Sequence, residues 1–275
     1  MTDVLDRVRD YYRANGLTER LKTALTVFGP SDKPLTPQQL AAVDQFHTRG
    51  LAATAELAKL AKIAPSMSVL DVGAGLGGPA RFLAATIGCQ VTGIDLSEPF
   101  VEAARYLTGR TRQSGQVSFQ TASALALPFA DGSFDVVLLQ HVAMNIADRP
   151  LLYREIRRVL KQGGRFATYD VVLKGGSPHF PVPWARTPET SFLLTAAATG
   201  EAIEAAGFGR LTWQDDTEAA KAWISQLRAS GPPPQPNLGT VMGPDFAQLA
   251  ANLGRSLMEG RLGILTAVFE AASIR

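Results

Sequence analysis

Val69-Leu70-Asp71-Val72-Gly73-Ala74-Gly75-Leu76-Gly77-Gly78 is the stretch that decides how this chain folds. A short apolar run breaks into glycines, and a helix-compatible segment follows. A second apolar run, Val91-Thr92-Gly93-Ile94, then ends on an acid, Asp95. The pattern reads as strand, glycine loop, helix, strand and carboxylate, an arrangement that holds a nucleoside against the edge of a parallel sheet. Gly73 permits the tight turn off the strand, and Gly75 lets a ligand approach the backbone. Gly77 and Gly78 let the helix start close to the sheet. The helix N-terminus offers free N–H groups to a carboxylate or phosphate. Asp95 is placed to accept hydrogen bonds from two ribose hydroxyls.

Outward from that stretch the alternation continues. Ser68–Val72 and Gln90–Ile94 are strands, with a helix over Pro79–Ala85 between them. Ser97 and Pro99 open the next helix, and Val117–Gln120 is a third strand. Phe134–Leu139 is an uninterrupted apolar run, as expected of a strand buried on both faces. Asp148 and Pro150 start a helix over Leu151–Leu160 that Gly163-Gly164 is expected to close, before a strand over Arg165–Val172. A helix over Ala196–Ala206 ends at Gly207, and Phe208–Gln214 with Gly263–Glu270 makes a final strand pair. The fold class is α/β, a doubly wound, mostly parallel seven-stranded sheet. Residues 1–64 read as a helical cap. In it Val4, Leu5, Val8, Tyr11 and Tyr12 recur at helical spacing, and Thr36-Pro37-Gln38-Gln39 carries a capping box. The remaining 65–275 form the nucleoside-binding domain, with a variable segment at about 217–260. There Gly231-Pro232-Pro233-Pro234-Gln235-Pro236 reads as loop.

Composition narrows the function. The chain has 275 residues, 46% of them hydrophobic, and a formal net charge of +2. Lys and Arg are scattered among acids, so no basic stripe offers itself to nucleic acid. The single cysteine, Cys89, excludes an intrachain disulfide and a cysteine-based metal site. No acid cluster with ligand spacing stands near the sheet edge, so no metal is expected. No apolar run approaches the roughly 20 residues of a membrane-spanning helix, and the first residues lack the pattern of a signal peptide. A reducing cytoplasm is the expected compartment.

The glycines alone also fit enzymes that bind a nicotinamide or flavin dinucleotide. Asp71, just ahead of Gly73, is awkward beside a pyrophosphate and useful near an ammonium group. Downstream stand Ala126-Leu127-Pro128-Phe129, then Asp131-Gly132-Ser133-Phe134-Asp135-Val136-Val137, then Arg158-Val159-Leu160-Lys161-Gln162-Gly163-Gly164. With these segments in order, the chain resembles a class I S-adenosylmethionine-dependent methyltransferase over roughly residues 66–172. Asp44-Gln45-Phe46-His47-Thr48-Arg49-Gly50 is similar to the corresponding segment of the sarcosine/dimethylglycine N-methyltransferase type and its uncharacterised bacterial relatives. The resemblance implies S-adenosylmethionine as cofactor. It puts the methionine part at Gly73, Ala74 and Gly75, the ribose on Asp95, and the adenine against Leu96. Ala122-Ser123-Ala124 would border the adenine edge and Gln140 the methionine group. At Ser123 many relatives carry an acid, so a water stands in for that contact here or the contact is lost.

Methyl transfer from a sulfonium needs alignment, dryness and, for an acceptor that must lose a proton, a base. His141 follows the fourth strand at the carboxyl edge of the sheet and is the candidate base. Met144 and Asn145, one turn later, are expected in the same pocket. His47 and Arg49 lie between two N-terminal helices expected to act as a lid, with Arg49 available to a carboxylate. Tyr11, Tyr12, Tyr169 and Trp184 are candidate aromatic walls for a methylammonium group. The expected acceptor is a small molecule, an amine or amino-acid nitrogen, with oxygen or carbon of a natural product as the alternative. A dinucleotide-dependent oxidoreductase and a non-catalytic S-adenosylmethionine-binding protein stand further off.

Overall fold

The computed structural model describes residues 16–231 and 235–272; the helical run at Val4–Tyr12 lies outside them. Seven strands, β1 (Ser68–Val72), β2 (Gln90–Asp95), β3 (Val117–Thr121), β4 (Phe134–Gln140), β5 (Leu160–Leu173), β6 (Phe208–Asp215) and β7 (Leu262–Ala271), share one sheet. Their order is β3-β2-β1-β4-β5-β7-β6. The first five pair in parallel, and β7 runs antiparallel between β5 and β6. From β1 the chain moves outward through β2 to β3, then returns to the other side of β1 as β4. That reversal opens a crevice at the carboxyl ends of β1 and β4, where ligands of such sheets bind. Val69, Leu70 and Val72 of β1 and Val136 to Leu139 of β4 are fully buried because helices cover both faces.

Among the described residues, three α-helices precede the sheet: α1 (Leu17–Ala24), α2 (Pro37–Asp44) and α3 (Gly50–Leu60). The capping box of α2 forms as its sequence requires. The Gln39 N–H donates to Thr36 Oγ1 at 3.2 Å, and the Thr36 N–H donates to Gln39 Oε1 at 2.9 Å. After β1 comes α4 (Gly78–Ile87), and after β2 comes α5 (Glu98–Arg110). At the end of α2, Asp44 pairs with Arg81 of α4 at 2.8 Å with neither side chain exposed. Arg81 also donates to the carbonyls of Leu76 and Ala104 and to Thr108. The pair ties the segment before the sheet to the end of the glycine loop. Burial outweighs the attraction of Arg81 and lifts the Asp44 carboxyl to about 6.

One expectation needs correction. Helix α6 (Arg149–Val159) is capped by Asp148, whose Oδ1 accepts from the Leu151 N–H at 2.9 Å, but the glycine pair does not close it. The helix ends at Val159, and β5 starts at once because Leu160 pairs with Phe134. Gly163 then sits inside β5 at φ 71, where the pairing register shifts between Phe134 and Val136. Farther on, α7 (Ala196–Ala205) precedes β6, and the stretch between β6 and β7 is mainly helical. It holds α8 (Thr217–Ala229), α9 (Leu238–Met242) and α10 (Phe246–Met258). The periodicity of α10 was there to be read, since Leu249, Leu253 and Leu257 recur every fourth residue and are buried.

Candidate active site

The glycine loop leaves β1 and lies against the end of β2. The N–H groups of Gly73 and Ala74 both donate to the Ile94 carbonyl, at 2.9 and 2.8 Å. Gly73 has φ +72, and a Cβ there would stand 2.4 Å from a Val142 methyl, so only glycine fits between β1 and the turn after β4. The Gly75 N–H donates to Asp95 Oδ2 at 2.9 Å, and the Ser97 N–H to Asp95 Oδ1 at 2.9 Å. Asp95 therefore braces the loop and keeps further lone pairs for a ligand. Gly73, Ala74, Gly75, Asp95 and Leu96 line one cavity, together with Ser123 and Ala124 from beyond β3. Ser123 Oγ accepts from the Leu125 N–H at 3.2 Å, so its hydroxyl braces its own turn. Gly77 does not line the cavity; it starts α4 against the Phe119 ring.

Asp71 also lines the cavity, at 2% exposure, and its Oδ2 has no hydrogen-bond partner. Burial first, and the nearby Asp95 second, push its carboxyl up to about 7. A buried carboxyl with an unpartnered oxygen is an acceptor for a ligand's ammonium group, while the N–H groups of Gly73, Ala74 and Gly75 are already given to Ile94 and Asp95. The residues thus fit the methionine end of S-adenosylmethionine, and Asp95 fits its ribose.

At the end of β4 the chain turns sharply at His141, a non-glycine residue at φ 55. Its N–H donates to the Tyr169 carbonyl at 2.8 Å. The imidazole is stacked parallel to the Tyr169 ring in an offset arrangement, centroids 5.4 Å apart and planes 5° from parallel. His141 Nε2 has no hydrogen-bond partner. Burial, and then the neighbouring His47, hold the ring's pKa well below the usual histidine range, so it is neutral. The next residues are pinned from several sides. The Ala143 N–H donates to Asp170 Oδ2 at 2.9 Å, the Phe192 N–H to the Met144 carbonyl at 2.8 Å, and Arg149 Nε to the Ile146 carbonyl at 2.9 Å. Gln140, His141, Met144 and Asn145 all line the cavity, and Asn145 Oδ1 is buried without a partner.

The segment before α3 closes one side. His47 lines the cavity, and its ring Nε2–H donates to the Gly50 carbonyl at 3.0 Å, while burial lowers its pKa to about 4. Thr54 Oγ1 lies 3.1 Å from that nitrogen and accepts from Gln140 Nε2 at 3.3 Å. Trp184 forms another wall, its Nε1–H donating to Ser191 Oγ at 3.0 Å.

Besides Gly77, two expected acceptor-side residues stand outside the cavity wall. Arg49 does not line the cavity, because Glu56 holds it at 2.7 Å and Asp216 draws its other nitrogen to 3.6 Å. Tyr169 is a support behind His141 rather than a wall, its hydroxyl 2.8 Å from Thr48 Oγ1. Tyr11 and Tyr12 lie outside the described residues. Phe46, Met242, Phe246 and Leu253 line the cavity without having been read from the sequence. Phe46 adjoins His47, but its direction is set by the turn; the other three come from the segment between β6 and β7.

Residues 70–168 match the family model for a methyltransferase domain. Methyltransferase GfsG of Streptomyces halstedii is 36% identical over 180 residues, which is 64% of this chain and 62% of that protein. O-methyltransferase resE of Aspergillus sclerotiorum is 40% identical over 136 residues, 50% of this chain and 51% of that protein. The chain thus spans less than two thirds of these curated relatives. Among solved structures, geranyl diphosphate C-methyltransferase of Streptomyces coelicolor A3(2) has the same fold, with a TM-score of 0.71 at 17% identity over 98% of both chains. Residues 70–168 thus match a methyltransferase domain, and the strand order is that of the class I methyltransferase fold.

Proposed function

We propose that the protein is an S-adenosylmethionine-dependent methyltransferase that methylates a hydroxyl oxygen of a neutral, largely apolar small molecule. The observation that carries this reading is the wall of the cavity away from the glycine loop. Met144, Ile146, Trp184, Met242, Phe246 and Leu253 form it, and no Lys or Arg is among the described residues lining the cavity. An anionic acceptor would be buried there without a partner, at a cost of several kcal/mol, on the order of the penalty for any isolated buried charge. An apolar acceptor gains from the same wall.

Oxygen is favoured over nitrogen by the state of His141. A protonated amine must lose its proton before it can attack, and a buried imidazole with a depressed pKa is too weak a base for that. A hydroxyl becomes acidic only as its new bond forms, so a weak, well-placed base is enough. One of the curated relatives is itself named an O-methyltransferase.

S-adenosylmethionine, when bound, supplies an electrophilic methyl whose C–S bonding pair leaves with sulfur. Asp71 would hold its ammonium group and Asp95 its ribose. His141 would take the proton that the acceptor oxygen loses. His47 and Gln140 fix that edge of the cavity. The helices before β1 and the segment carrying Met242 and Phe246 act as a lid that keeps water out.

The test is methyl transfer from isotope-labelled cofactor to a panel of alcohols, phenols, amines and carboxylates of matched shape, read by mass spectrometry. Alcohols or phenols should be methylated, and His141→Ala should lower kcat by roughly 10²–10⁴-fold while S-adenosylhomocysteine still binds. Methylation confined to the amines, or His141→Ala turning over like wild type, would refute the reading.

A further inference from the structure

Tyr169 is fully buried on β5 and takes no place in the cavity wall, yet four contacts fix it around His141. Its carbonyl accepts from the His141 N–H at 2.8 Å. Its hydroxyl shares a hydrogen bond with Thr48 at 2.8 Å. Its ring meets the His47 ring edge to face, at a centroid distance of 5.8 Å and 77°. Its face lies parallel to the His141 ring at 5.4 Å.

The groups around His141 do not help it carry a proton, with one exception. His47, 6.1 Å away on the segment before α3, opposes a positive charge. Asp170 on β5 turns its carboxylate to the N–H groups of Ala143 and Val171. Arg49 and Asp216 lie on the far side, beyond the tyrosine hydroxyl, and Asp216 also accepts from the Thr266 hydroxyl. Asp71 and Asp95 line the glycine-loop side of the cavity. The π face of Tyr169 is the group in parallel contact with the imidazole, and an aromatic face carries negative potential that attracts a cation.

We propose that Tyr169 is a positioning residue for His141, its ring face both orienting the imidazole and stabilising the imidazolium formed when the acceptor proton arrives. This rests on the reading of His141 as the base. The proton leaves the acceptor oxygen, whose electron pair has gone into the bond to the methyl carbon, and joins a lone pair of the imidazole. The positive charge lost at sulfur then resides on the imidazolium over the tyrosine face. The hydroxyl of Tyr169 takes no part beyond holding the ring in place through Thr48.

The experiment keeps the ring's shape and changes its electrons. Tyr169→Phe retains the face; 3,4,5-trifluorophenylalanine at position 169 has nearly the same outline and a far weaker negative face. Each is measured for kcat, acceptor KM and S-adenosylhomocysteine affinity. The chain's three histidines also allow the His141 ring protons to be assigned by NMR. Those protons should be displaced by the aromatic ring current in wild type and in both variants, which shows that the stack exists independently of activity. The Phe variant should keep kcat within about threefold of wild type. The trifluoro variant should lose roughly tenfold in kcat, the scale of a desolvated cation–π contact, with KM and cofactor affinity unchanged. An active wild type whose Phe and trifluoro variants turn over equally would overturn the role of Tyr169 and leave the function standing. Absence of the ring-current displacement in wild type would also overturn it. A wild type that binds cofactor but methylates no acceptor would instead refute the function.

Discussion

Replacing Gly73 with alanine tests whether the contact between the glycine loop and the turn after β4 is as close as the structure places it. Two costs can be separated. Gly73 has φ +72, and a residue with a Cβ there loses about 1–2 kcal/mol from backbone strain. The added Cβ would also stand 2.4 and 2.8 Å from the two Val142 methyls, far inside van der Waals contact. Overpacking of that kind costs about 1–3 kcal/mol more. Gly73→Ala should thus lose roughly 3 kcal/mol of stability. Because the displaced loop carries Ala74 and Gly75 with it, S-adenosylhomocysteine should bind at least tenfold more weakly. Val142→Ala removes both offending methyls and leaves only the Val142 Cβ at 3.2 Å, which a small shift can absorb. Alone it should cost about 1 kcal/mol. The double variant should be less damaged than the sum of the two, with a coupling of about 1–2 kcal/mol. The assay is urea unfolding of the four proteins, with calorimetry of S-adenosylhomocysteine binding beside it. If the two substitutions add to within about 0.5 kcal/mol, Val142 is not what excludes a side chain at position 73, and the reasoning fails.

Asp71 predicts a pH dependence. Its folded pKa, about 7, lies above the ordinary 3.8, so the folded state holds a proton that the unfolded chain releases. The Asp71 contribution to stability is therefore highest below about pH 4 and falls as pH rises to about 7. Asp71→Asn should flatten that slope in thermal melts, unfold later than wild type at pH 8, and bind S-adenosylmethionine more weakly. Arg81→Leu leaves Asp44 buried without its partner and should lose about 3–5 kcal/mol in urea unfolding; the double variant with Asp44→Leu should lose less than the single one. Asp95→Ala removes the acceptor for the Gly75 and Ser97 N–H groups as well as the expected ribose contact. At about 1.5–3 kcal/mol for each hydrogen bond to a charged group, S-adenosylhomocysteine affinity in calorimetry should fall at least 100-fold.

The cofactor side of the cavity was legible in the sequence because its parts are local. A glycine loop, the acid before it and the acid ending the next strand are separated by one helix, and their spacing carries their geometry. The acceptor side was legible only in pieces. His141 stood out as a histidine ending a buried strand. Phe46, Met242, Phe246 and Leu253 did not, since an apolar side chain in a helix reads the same whether it faces a core or a cavity. Arg49 and Tyr169 stand outside the cavity wall for a related reason. Residue type gives what a side chain can do, and the partners Glu56, Asp216 and Thr48 decide what it does.

Sequence by itself determined the α/β alternation, the position of the glycine loop, the capping of α2 and α6, and the final strand pair. These follow from hydrophobic period, turn chemistry and short-range spacing, which act within a few residues. Tertiary structure decided what meets across distance. It set Val142 against Gly73, laid His141 on the face of Tyr169, and brought Met242 and Phe246 from the far end of the chain to the cavity. Contacts of that kind depend on how the sheet reverses between β1 and β4 and how helices close over it, and no local pattern encodes them.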